Sequence, residues 1–274
     1  MRTRTFRAND GTSISPDLAG GEDVTDASLR RLSGLAGMLL LVQAVVLGII
    51  LAMAPARVVL PITLGLPGGR ERIVLFAVDI GAGVIVLTLL VAVSRLAVVM
   101  PSVFPHYSSG VSSNRHTARW IEFVFSSSIV VFLVAQLNGI SDIGALVLSY
   151  AITSGMTLFS VLQERSVRPA TGRMLPLWFG AAIGIVPWGV IAFHQVSALV
   201  VGQPPSALVR VITLTMLACA FAFFVSHWRD QRRSDSAPSA LAGERTHILL
   251  SFASTSVFAW LVAFGVLGVG NVRL

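Results

Sequence analysis

The chain has 274 residues, of which 54% are hydrophobic and only 12% charged, with a mean hydropathy of +0.80. That is too little polar surface for a soluble domain and describes one integral membrane domain of six to eight helices. The net charge of +7 is carried by arginine alone, because all 20 basic residues are arginine and no lysine occurs anywhere.

Residues 1–28 are polar, mix acidic and basic side chains and lack an apolar signal-peptide core, so a disordered cytoplasmic tail is expected there, ahead of a membrane domain over 29–274. A span needs roughly 20 apolar residues to cross a hydrocarbon core about 30 Å thick. Seven stretches qualify, at about 33–54, 73–100, 117–138, 142–163, 175–196, 206–228 and 246–269. In lipid they must be helices, because no water satisfies the backbone. Between the first two lies "PARVVLPITLGLPGGRER", where β-branched residues and "PGG" point to a short hairpin. "NGIS" should join the third and fourth spans tightly. Gly34/Gly37 and Gly265/Gly268 lack strict GxxxG spacing and are weak packing signals.

The loops orient the bundle. With the N-terminus inside, 14 arginines fall on the cytoplasmic side and 4 outside. The positive-inside rule therefore gives an all-α, seven-transmembrane-helix bundle in the cell membrane, N-terminus cytoplasmic and C-terminus outside. The pI near 11.3 fits an anionic lipid surface rather than nucleic acid, since the arginines flank spans. The single cysteine, Cys219, permits no intrachain disulfide. His106, His116, His194 and His247 show no metal-ligand spacing, so no metal is expected.

Among the charged residues inside spans, two lie at matched depth. Arg95 is about five residues from the inner end of the second span and Glu122 a similar distance into the third, so both sit roughly 8 Å below the cytoplasmic surface. Leu40 in the first span has comparable depth. A charge at such depth faces a partner or a water-filled cavity, or else snorkels to the interface. Asp79, read as lying inside the second span, is either a further polar site or a hydrogen-bond partner of a neighbouring helix. Ser126, Ser127 and Ser128 either line a pocket or mediate helix contacts. Trp120, Trp178, Trp188 and Trp260 fit a ligand enclosure, core packing or an interfacial belt.

Six stretches then carry a family resemblance: "ARWIEFVFSSS", "GISDIGALVLSY", "LFSVLQE", "LWFGAAIGIVPW", "QPPSALV" and "GERTHILLSFASTSVFAW". Together they resemble the heliorhodopsins over about 85% of the chain, with Phe123 where the family commonly has tyrosine. The resemblance implies a seven-helix protein of inverted topology that binds retinal through a lysine in the last helix, dimerises, and senses or regulates partner proteins rather than pumping ions. It places Glu122 at the counterion of the protonated Schiff base, Ser251 one turn before the lysine position and Trp188 in the wall of the pigment pocket. This chain departs from the pattern at three positions. The lysine position holds Thr255, and two positions that often carry pocket histidines hold Leu40 and Arg95.

Without a lysine, covalent retinal is excluded and Glu122 loses its usual cation. It must be protonated or find another positive charge, and Arg95 at matched depth is the expected partner in an ion pair. Four functions follow as expectations. The first is a non-pumping sensory or regulatory protein acting through an unknown cytoplasmic or membrane partner, as a homodimer. The second is a receptor holding retinal or another apolar ligand noncovalently in the former pigment pocket. A transporter would need polar groups in series across the bilayer and a broken span, and Pro187 only kinks the fifth span. An enzyme would need an activating base beside Thr255, Ser251 and Glu122, and none is evident.

Overall fold

The computed structural model describes residues 16–54, 57–69, 71–166, 174–233 and 237–268. The chain runs α1 (Pro16–Ala52), β1 (Val59–Gly65), β2 (Arg72–Asp79), α2 (Ile80–Val98), α3 (Phe104–Ser112), α4 (Thr117–Leu137), α5 (Ile143–Ser166), α6 (Leu175–Val200), α7 (Ala207–Arg233) and α8 (Ala237–Leu267). Seven of these helices are long and apolar enough to cross a membrane. They form a bundle in which α1, α2 and α8 pack together, α4 bridges α2 to α5, and α5 packs on α6.

The structure changes three expectations. Residues 16–28, expected in a disordered tail, belong to α1. Residues 1–15, and with them Arg2, Arg4 and Arg7, lie outside the described residues, as do Arg70, Arg168, Arg173 and Arg273. Residues 73–79, expected in the second span, form β2 instead. The hairpin is therefore longer than the loop between spans, because the β-branched run continues through Ile73 and Val74. Asp79 is no mid-span polar site. It ends the strand and caps α2, accepting the Ala82 amide at 3.1 Å, and it pairs with Arg57 at 3.7 Å. Gly180 and Gly184 on α6 have GxxxG spacing. A Cβ on Gly180 would lie 3.1 Å from the Met156 carbonyl and from the Phe159 Cβ of α5, so glycine permits this close approach.

The hairpin closes one end of the bundle. The Thr63 amide donates to the Ser141 carbonyl at 2.8 Å, tying β1 to the α4–α5 turn, and Ile62 is buried in the core below. The opposite end carries α3, a short helix that no apolar periodicity announced. Asn114 links α3 to α4 at φ 56°, a conformation that asparagine tolerates better than most residues.

Replacing Gly180 with leucine should push α6 from α5 and destabilise the protein by about 1–3 kcal/mol. Thermal unfolding of the detergent-solubilised variant measures this, and an unchanged midpoint would contradict the packing.

Candidate functional site

The polar interior gathers at the α3 end of the bundle. Arg95 leaves the last turns of α2 and Glu122 the second turn of α4; they are 4% and 2% exposed, so neither snorkels. Arg95 Nη2 donates to Glu122 Oε2 in a buried ion pair. The other carboxylate oxygen, Oε1, accepts from Ser251 at 2.8 Å and from Ser126 at 3.3 Å. Both oxygens of Glu122 are thus engaged by three helices, as a charge removed from water requires. Ser33 on α1 donates to the Arg95 carbonyl at 3.3 Å, and Leu40 is fully buried in the core.

A second carboxylate, Glu244, was not singled out from the sequence, and it is wholly buried. Its Oε1 accepts the Tyr107 hydroxyl of α3 at 2.8 Å, and its Oε2 lies 2.8 Å from His116 Nδ1. Arg95 and Arg119 each approach it to 4.0 Å. Arg119 in turn donates to Asp230 on α7 at 3.0 Å. Glu164 on α5 accepts the His116 amide at 2.8 Å and Trp120 Nε1 at 2.6 Å. One connected network therefore joins α2, α3, α4, α5, α7 and α8. Burial, reinforced by the adjacent Glu244 carboxylate, pushes the Tyr107 phenol far above its ordinary value.

Beside this network lies a cavity of about 340 Å³ between α4, α5, α6, α7 and α8. Its wall is mainly apolar and includes Phe123, Met156, Trp188, Met216 and Phe223. Trp188 thus stands in the cavity wall. Thr255 is buried on α8 but is not among the lining residues; its neighbour Ser254 is. The helical step of about 100° per residue separates these two faces. Near the cavity, α6 and α7 touch little, and rim residues Trp178, Ile185 and Phe221 are 52%, 67% and 66% exposed.

His227, a fifth histidine passed over in the sequence, is also in the wall. Its ring stacks on His247 at 5.8 Å, and His247 Nε2 lies 3.7 Å from Glu122 Oε2. Two histidines thus separate cavity from ion pair. Among the described residues no group of three or more His, Cys, Asp or Glu is arranged to hold a metal ion. A separate polar cluster near the hairpin end joins Asn138 to Thr213 at 2.9 Å and to Gln195 at 2.7 Å.

Two predictions follow. Arg95→Gln should strand Glu122 without its cation and destabilise the protein by about 3–5 kcal/mol, and adding Glu122→Gln should restore much of that loss; additive single effects in thermal unfolding would contradict the pairing. The raised Tyr107 value gives a pH effect of defined sign. Its contribution to stability is complete below the ordinary phenol value of 10.0. Above that pH the unfolded chain ionises while the folded one does not, so stability falls as pH rises. Between about pH 9 and 11 the thermal midpoint should drop more steeply in the parent protein than in Tyr107→Phe; equal slopes would contradict it.

Comparison with curated proteins gives no match. The sequence profile of one membrane family, described as Heliorhodopsin, matches residues 29–267, from the first span through the last. This chain is a multi-pass membrane protein that belongs to the heliorhodopsin family.

Proposed function

We propose that this protein is a non-pumping regulatory heliorhodopsin, N-terminus in the cytoplasm, in which a noncovalently held apolar ligand replaces the covalent pigment and a partner protein receives the signal. The observation that carries this reading is the mainly apolar cavity of about 340 Å³ beside a Glu122 whose charge is already matched by Arg95. Cavities of this size hold one small ligand. The absence of lysine removes the Schiff base and its cation together, and Arg95 supplies a permanent positive charge where the family otherwise relies on the pigment. Ligand identity is open to retinal itself or to another apolar molecule reaching the cavity from the bilayer between α6 and α7.

Other features support this reading over transport or catalysis. Glu122 and Asn138, in the two polar clusters, are roughly 24 Å apart along α4, and Val131, Val134 and other core residues pack between them. Ser251 donates to a carboxylate already paired with arginine, so no free base is placed to activate it. The distribution of arginines supports the inverted orientation.

Absorption spectra of protein expressed with all-trans-retinal test the central claim. A band close to that of free retinal, readily extracted by detergent, is expected. A strongly red-shifted band bleached by hydroxylamine would overturn the reading, because it would require a Schiff base.

A further inference from the structure

We propose that His227 is the polar anchor of the cavity and that its ligand is a neutral amphiphile, an elongated apolar molecule ending in one hydroxyl or carbonyl group. This rests on the ligand reading above and adds the chemical class.

His227 lines the cavity, is 5% exposed, and its Nε2 is buried with no hydrogen-bond partner. Buried polar groups without partners are rare and unfavourable, and a ligand group that supplies the missing bond removes the penalty. Three hydroxyls of the wall are already in use. Ser127 donates to the Phe123 carbonyl at 2.5 Å, Thr153 to the Ser149 carbonyl at 2.8 Å, and Ser254 to the Ser251 carbonyl at 3.3 Å. Around the imidazole stand Trp120, Phe123 and Phe223, with ring centroids 4.9, 5.4 and 6.2 Å away. With His247 stacked at 5.8 Å, these rings enclose the imidazole in aromatic side chains.

Charge then selects the head group. The arginines nearest this end, Arg95 and Arg119, are matched by Glu122 and Asp230, and Glu244 lies 4.0 Å from each. A carboxylate entering the cavity would find no unmatched cation and would be desolvated without compensation. A hydroxyl can donate to or accept from an imidazole nitrogen whichever tautomer is present, and a carbonyl can accept from its N–H. The length of the body follows from α7, along which the lining runs from Met216 to His227, roughly 16 Å at 1.5 Å per residue.

The test uses four probes with one body: all-trans-retinol, all-trans-retinal, all-trans-retinoic acid at pH 8, and the hydrocarbon with a methyl group in place of the hydroxymethyl. Each is titrated into the full chain in nanodiscs of neutral lipid, following quenching of tryptophan fluorescence; Trp178 and Trp188 line the cavity. Retinol and retinal should bind about fivefold or more tighter than the acid and the hydrocarbon, the size of one net hydrogen bond. His227→Leu should bring retinol to the hydrocarbon's affinity and leave the hydrocarbon unchanged, which also shows that the variant is folded. His227→Gln should keep part of the preference. Four equal affinities, or retinol binding unaffected by His227→Leu, would overturn the anchor while leaving the apolar-ligand reading intact. Tightest binding of the acid would overturn the neutral class. Binding of none of the four would overturn both readings.

Discussion

A carboxylate inside a membrane bundle must be matched by something, and Glu122 is the group around which the polar interior is arranged. Desolvating an ion of this kind costs several kcal/mol even after relaxation. The cost is met by a direct guanidinium partner and two hydroxyl donors, from α2, α4 and α8. No lysine occurs in the sequence, and the cation that faces Glu122 is Arg95 on α2.

The same constraint organises the helices beyond that pair. Glu244 repeats the solution one turn of network away, taking a phenol from α3 and an imidazole from the start of α4. Arg119 extends it to α7 through Asp230, and Glu164 brings in α5. The short helix α3 is thus held partly by a hydrogen bond to a buried charge, and partly by Tyr107 and Val111 packing under α1 and α8. Stability at this end of the molecule depends on a balanced set of charges. Away from it, packing is mostly apolar, and glycines such as Gly180 set the distance between helices.

The cavity lies where the two regimes meet. Its wall is mainly apolar and includes His227, and α6 and α7 touch little. His227 stacks on His247, which in turn approaches Glu122. Two imidazole rings therefore lie between the cavity and the ion pair.

The sequence by itself determined the membrane class, the seven helices, the family and the impossibility of a Schiff base. Each depends on one-dimensional quantities: apolar length against bilayer thickness, long motifs, and the absence of one residue type. It also brought Arg95 and Glu122 to equal depth, because distance from a span end translates directly into height in a bundle. Rotation about the helix axis does not translate in this way. Only the tertiary structure decided that Arg95 faces Glu122, that Ser254 rather than Thr255 reaches the cavity, and that Gly180 meets α5. Glu244 and His227 escaped notice for a related reason. Each sits among arginines at a span boundary, where a polar residue ordinarily faces water, and only packing of α3 and α4 over that boundary makes the place an interior. The start of α2 was misjudged because hydropathy cannot separate an apolar strand from the helix it runs into; the Asp79 cap, a local hydrogen bond, draws that line.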